Sequence, residues 1–313
     1  MGDLPSSVKI REVGPRDGFQ NEPEVIPTER KIELIDALAR TGLRRLEVTS
    51  FVRADVIPQL ADAAEVLDQI DVPEDVALSV LVPNERGLDA ALEHRGKIDE
   101  VNVFMSASET HNRKNVNRSI EESLVGLEVV LGRAREQGLR CEAVISTSFG
   151  CPYEGRVALE NVLRIAQRLH LAGAQEIGFG DTTGMANPRQ VREFFPAVRQ
   201  HLRTAADPVE LTGHFHNTRG QGLANVLAAL EAGVESFESS FGELGGCPVP
   251  AGATGNIATE DLVSMLAEMG IQTGVDLPAL IACALTAQEV LGRPLGSHTL
   301  LAGPIEWRHS AAT

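Results

Sequence analysis

The stretch LTGHFHNTRGQG, residues 211–222, places His214 and His216 two apart inside an apolar run, in a chain with eight histidines. Alternate side chains of a strand share a face. This spacing therefore turns both imidazoles to one side and Phe215 to the other, toward a helix layer. Two imidazoles at a strand end, followed by Asn217, are suited to a divalent cation. Oxygen donors alongside shift the preference toward Mg²⁺ or Mn²⁺. A hydrogen-bonded structural role is the plainer reading of either ring taken alone.

A second cluster lies near the N-terminus, in GPRDGFQNE. Asp17 there is a carboxylate available to a metal, and Arg16 a fixed cation available to an oxyanion. An Asp-Gly turn beside a surface arginine is the alternative. Glu47 in RRLEVTSF sits between Leu46 and Val48, where an acid is costly to bury unless paired, and Arg16 is the natural partner. Asp181 ends GFGDTTG, where metal binding, orientation of a histidine and capping of the next helix all remain open. Cys247 lies in GELGGCPVPAGATGN, residues 242–256, with five glycines and two prolines. A thiol on such a loop, with no packing role, is a candidate acid or nucleophile.

These residues need a frame that brings distant segments together. Strand-like runs occur at 8–14, 43–51, 76–82, 100–106, 141–148, 176–182, 209–217 and 236–241. Helix-period segments lie between them. Residues 27–42 set Ile32, Ile35, Leu38 and Ala39 on one face, from a Thr cap to a Gly stop. Residues 187–202 begin with Asn187 as N-cap and Pro188 at the first helical position, and residues 219–233 form a third example. Eight alternating strands and helices predict an α/β fold, a (β/α)₈ TIM barrel, whose chemistry collects at the C-terminal strand ends. A doubly wound sheet would need a Gly-rich phosphate turn after the first strand, and GPRDGFQ is not one. The reading is one domain over residues 1–313: a barrel over about 8–241, a lid loop over 242–256, and extra helices over 257–313.

The formal net charge of −16 argues against nucleic acid, which needs clustered Lys and Arg. No run of eighteen apolar residues predicts a membrane span, and the N-terminus lacks the pattern of a secretory signal. Gly2 and Ser6 match the short myristoylation pattern without other support. The four cysteines, Cys141, Cys151, Cys247 and Cys283, form no CxxC pair and read as reduced thiols of a cytoplasmic protein.

Assembled in order, VGPRDGFQNE, LEVTSFV, NVFMSASETHNRKNVNRSIEES, GCPYEG, GDTTGMANP, GHFHNTRGQGLAN and GELGGCPVPAGATGNIATEDLV cover almost the whole chain. The sequence resembles the 3-hydroxy-3-methylglutaryl-CoA lyases, within the metal-dependent TIM-barrel lyases and Claisen-type synthases. The resemblance implies Asp17, His214, His216 and Asn256 as ligands of a divalent metal and Arg16 as the enolate-stabilising cation. It further implies Glu47 and Asp181 as supporting carboxylates and Cys247 as the catalytic thiol on a mobile lid. It implies an acyl-CoA substrate, a homodimer or higher oligomer, and cleavage to acetyl-CoA and a 3-oxo acid, as in leucine and ketone-body catabolism.

Asp17, Asp181 and His214 stand as alternatives for the base that takes the C3 hydroxyl proton. Asn115, within RKNVN (113–117), is a candidate for phosphate or pantetheine contact, a solvated helix start being the alternative. The chain departs from the family pattern at Asn217-Thr218-Arg219, at Val249-Pro250 and at Pro23. Arg219 and Pro23 fall near where CoA or the acyl tail would sit, so a related 3-hydroxyacyl-CoA is the variant reading. A Claisen synthase, an aldolase for a free 4-hydroxy-2-oxo acid and an inactive scaffold barrel are the rivals. The run GGCPVPAGATGN and the retained ligand set count against them.

Overall fold

A computed structural model of the protein describes residues 4–203, 208–246 and 255–307. Its strands are β1 Lys9–Glu12, β2 Arg45–Ser50, β3 Ala77–Leu81, β4 Glu100–Ser106, β5 Arg140–Ser146, β6 Glu176–Asp181, β7 Glu210–Phe215 and β8 Ser236–Ser239. All pair in parallel with their neighbours in chain order, and β8 returns to β1, closing the barrel. Every expected strand is present, all but β4 somewhat shorter than the run that predicted them.

The first helices are α1 Thr28–Ala39, α2 Ala63–Gln69, α3 Glu85–Leu92, α4 Glu109–Val116 and α5 Ile120–Glu136. Then follow α6 Leu159–Ala172, α7 Pro188–Leu202 and α8 Gly222–Glu231, and beyond the barrel α9 Thr259–Glu268, α10 Leu277–Leu291 and α11 His298–Ala302. These last three are the extra C-terminal helices expected.

The capping chemistry at α7 is as read: Asn187 accepts the Gln190 N–H at 3.1 Å and Pro188 opens the helix. At α1 the expectation of a Thr cap is corrected. Pro27 occupies the cap position, and the Thr28 hydroxyl donates to Asp62 Oδ2 at 2.8 Å. The hydroxyl thus ties α1 to the start of α2. Leu34 and Lys31 also lie on the buried face of α1, while Ile32 is only half-buried. The Lys31 ammonium is buried because it meets Asp62 Oδ1 at 2.7 Å.

Apolar side chains fill the layer between sheet and helices. Phe215 points there as expected and packs with Phe149 at 5.8 Å between ring centroids. The interior of the barrel is polar instead. Arg11, Glu100, Glu142, Glu176 and Glu238 are all buried there, so the lumen needs paired charges to exist at all. No helix among the described residues is long and apolar enough to cross a membrane.

Candidate active site

The end of β1 passes into a π-helical turn, Gly14–Gly18, in which Gly18 N at 3.5 Å and Asp17 N at 2.6 Å both donate to Val13 O. Such wide turns occur at functional sites because they re-aim side chains. This one presents Arg16 and Asp17 together at the barrel mouth. Arg16 donates through Nε to Glu47 Oε2 at 2.6 Å and through Nη1 to Asp17 Oδ1 at 2.7 Å. Glu47 lies beside a register shift in β2, and its other oxygen accepts from Asn102 Nδ2 at 2.9 Å. The expected Arg16–Glu47 pair is therefore present, fixed from the far side by Asn102.

From β7, His214 and His216 both face the mouth, with Nε2 atoms 3.1 Å apart. Donor atoms of Asp17, His214 and His216 all lie within 4.8 Å of one another. Asn256 joins them: its Nδ2 donates to Asp17 Oδ2 at 2.7 Å and to Leu244 O at 3.1 Å, and its residue bridges to His216. Gly245, with φ of +91°, lies so close above that a Cβ there would sit 2.7 Å from Asn256 Nδ2 and 3.1 Å from Asp17 Oδ2. No residue with a side chain fits at that point.

The charges reinforce this arrangement. Burial works to raise the Asp17 pKa, but Arg16, the two imidazoles and the Asn256 amide hold it below the usual carboxylate range. Burial works to lower that of His214, yet the hydrogen bond and charge of Glu238, with Asp17, carry it upward. Burial opposes the Arg16 cation too, and the Glu47 and Asp17 carboxylates outweigh it and keep it protonated.

One carboxylate, two imidazole nitrogens facing each other and a buried amide oxygen form a donor set for a divalent cation. Asn256 Oδ1 is buried with no hydrogen-bond partner among the described residues. A bound cation would use that oxygen and take the place of the hydrogen bond between the two imidazoles. The residues fit the group.

The HMGL-like family model matches residues 7–286. The chain belongs to the HMGL-like family. It is 49% identical over 296 residues to hydroxymethylglutaryl-CoA lyase YngG of Bacillus subtilis, covering 95% of this chain and 97% of that one. Against the mitochondrial hydroxymethylglutaryl-CoA lyase of Bos taurus it is 44% identical over 297 residues, covering 95% and 90%. An HMG-CoA lyase of Acinetobacter baumannii, solved in complex with coenzyme A and 3-methylmalate, superposes with a TM-score of 0.89 at 39% identity. The match covers 97% of each chain.

The mouth of this HMGL-like barrel opens into a cavity of about 790 Å³. Arg16, Asp17, His214 and His216 line one end; Asn115 and Lys114 of α4 line another part of its wall. Lys114 also lies over the Tyr153 ring, 4.8 Å from its centroid. Two candidates stand apart. Arg219 is not part of the cavity lining; its Nη1 donates to Thr183 O at 2.7 Å and Gly184 O at 2.8 Å, bracing the loop after β6. Asp181 caps that same loop through Oδ1, which accepts from Met185 N and Ala186 N. Its Oδ2 is buried without a partner among the described residues, and burial raises its pKa to about 7. Cys247 lies outside the described residues.

Sequence reasoning passed over Glu238 and Asn102. Glu238, between Phe237 and Ser239 in a central strand, carried the same signal as Glu47: an acid with no solvent to face. Asn102 gave a weaker one, an amide within the apolar run of β4.

Proposed function

We propose that this chain cleaves 3-hydroxy-3-methylglutaryl-CoA to acetyl-CoA and acetoacetate with a divalent metal, Mg²⁺ or Mn²⁺, held by Asp17, His214, His216 and Asn256. The observation that carries the reading is the convergence of three donor residues within 4.8 Å, with Arg16 hydrogen-bonded to one of them. Kinship to lyases over nearly the full chain supports the same activity.

When bound, the metal lowers the pKa of a coordinated hydroxyl and fixes its orientation. The chain's own residues do the rest. A base takes the C3 hydroxyl proton. Asp181 combines a raised pKa with an unpartnered oxygen, but it stands outside the cavity lining; Asp17 and His214 remain the alternatives. As the C3 carbonyl forms, the C2–C3 bond breaks and its electron pair passes into the thioester enolate. Arg16, held rigid by Glu47, supplies the preorganised positive charge for that enolate oxygen, a contribution of typically about 3–4 kcal/mol. The Cys247 thiol delivers a proton to C2, giving the acetyl methyl group. The loop bearing it, closed over the mouth, keeps water from the enolate.

The CoA chain leaves along α4, past Asn115 and Lys114, whose amide and ammonium suit phosphate oxygens. Arg219 acts through the loop it braces. The protein is taken to work in the cytoplasm as a homodimer or higher oligomer, as a single unit with the 242–256 segment as its lid.

The test is release of acetyl-CoA and acetoacetate from the substrate by purified protein, with and without Mg²⁺ or Mn²⁺. Metal-dependent appearance of both products in equal amounts is expected. Absence of cleavage by folded, metal-binding protein would overturn the substrate assignment and turn the search to differently branched 3-hydroxyacyl-CoAs.

A further inference from the structure

Beneath the metal-ligand candidates, one row of the barrel interior joins three side chains from three adjacent strands. In the register of the closed sheet, Arg11 of β1 pairs with Glu238 of β8, and Glu238 pairs with His214 of β7. Their side chains follow the same order. Glu238 Oε2 lies 2.8 Å from His214 Nδ1. The other oxygen, Oε1, accepts from Arg11 Nη1 at 3.4 Å. Arg11 is in turn held by Glu100 and Glu142. All three members are buried, with Glu238 and Arg11 each 1% exposed.

We propose that Glu238 is a positioning residue that fixes the ring plane and tautomer of His214, with Arg11 holding the opposite carboxylate oxygen. The inference rests on the metal-site reading above and deepens it. A carboxylate only accepts, so the 2.8 Å contact requires the proton of His214 on Nδ1. That leaves the Nε2 lone pair directed at His216 Nε2 and the Asp17 cluster. Without Glu238 the ring is free to rotate about its bonds to the backbone, and the proton to move to Nε2, where it blocks coordination. Orientation of a ligating imidazole by a carboxylate of this kind sets metal affinity in other proteins as well.

Glu238→Gln is the decisive variant because it keeps the volume of a buried side chain while its amide can rotate to donate to Nδ1. Two readouts are taken on apo protein whose melting curve shows it folded. Free Mn²⁺ is titrated by electron paramagnetic resonance, and the His214 tautomer is read by long-range ¹H–¹⁵N NMR above the imidazole titration range. Wild-type protein is expected to show the proton on Nδ1. The variant is expected to show it shifted wholly or partly to Nε2, with Mn²⁺ bound about 10–100-fold more weakly. Glu238→Ala, with the carboxylate gone, is expected to lose at least as much affinity.

A Glu238→Gln protein with the wild-type Mn²⁺ affinity and the proton still on Nδ1 would overturn the proposal. If wild-type protein itself binds no Mn²⁺, the metal-site reading fails. The tautomer then still decides the role of Glu238: a proton that stays on Nδ1 in the variant overturns it, and one that moves supports it.

Discussion

The floor inside the barrel and the surroundings of its mouth handle buried carboxylates in opposite ways. At the floor, Glu100 and Glu176 are pulled below the usual carboxylate range: burial works to raise them, but Arg11 and Arg45 outweigh it. Arg45 reaches Glu176 Oε2 at 2.5 Å and Glu100 Oε2 at 3.0 Å, and Arg140 closes the ring to Glu210 at 2.6 Å. Around the mouth, Asp181, Glu12 and Glu260 accept only backbone N–H groups and hydroxyls. Burial there prevails and raises them to about 7, 7 and 8. For these groups the difference is whether a guanidinium bonds the carboxylate directly. The floor is a closed set of charge pairs that holds the barrel together, and among the described residues only Arg11 reaches from it toward the mouth, to Glu238. Near the mouth, Asn256 Oδ1 and Asp181 Oδ2 are left without a partner among the described residues, which suits binding and proton transfer.

The largest effect expected from this contrast is at the mouth and falls on turnover. His214→Ala and Cys247→Ala should each lower kcat by about 100-fold or more, since metal orientation and proton delivery are each worth several kcal/mol. Stability of the metal-free His214→Ala protein should change by only about 1–2 kcal/mol, the scale of one buried hydrogen bond. Steady-state kinetics and thermal melts on the same preparations separate the two quantities. Near wild-type turnover in either variant would remove that residue from the mechanism.

The floor should respond the other way. Arg11→Met removes the cation shared by Glu100, Glu142, Glu176 and Glu238. Breaking a fully buried ion pair from one side costs about 3–5 kcal/mol, here a fall in Tm on the order of 10 °C. Denaturant melts measure it directly. A variant as stable as wild type would show that the floor carboxylates carry no net charge to be compensated.

The contrast also explains what could be read in the sequence. Strand-like runs between helix-period segments gave all eight strands, and the HxH pair gave the two candidate ligands from the end of β7, because those signals are local. Arg16 and Asp17 were visible through their place at a strand end. Asn256 was not: an asparagine in a Gly-rich loop has no local mark, and its meaning comes from Asp17, which it meets across 239 positions of chain. The floor network was invisible for the same reason. Arg11, Glu100 and Glu176 look like the polar half of half-exposed strands until the closure of the barrel turns that half inward. Arg219 reads differently in the fold: a cation after the HxH pair suggests a ligand contact, and its guanidinium also braces a neighbouring loop. The carbonyls of Thr183 and Gly184 accept from its Nη1.

The smallest effect tests the mouth's uncompensated carboxylates without touching the chemistry. Both Glu260 oxygens accept the Gly242 N–H, each at 3.0 Å, at the start of the loop above the site. Burial, reinforced by the charges of Glu12 and Asp261, raises its pKa from 4.5 to about 8. Between those values the folded chain keeps a proton that the unfolded chain has released. The contribution to stability is therefore whole below the unfolded value and is lost as pH rises toward the folded one. Glu260→Gln keeps an acceptor for Gly242 and has no proton to lose. Near about pH 5 the variant should match wild type; near about pH 9 it should be more stable by about 1 kcal/mol or more, roughly 2–4 °C in Tm. A difference in Tm that is the same at both pH values would mean that Glu260 is not held protonated. A variant that is the less stable of the two only at high pH would mean that the ionised carboxylate is the form that clamps the loop.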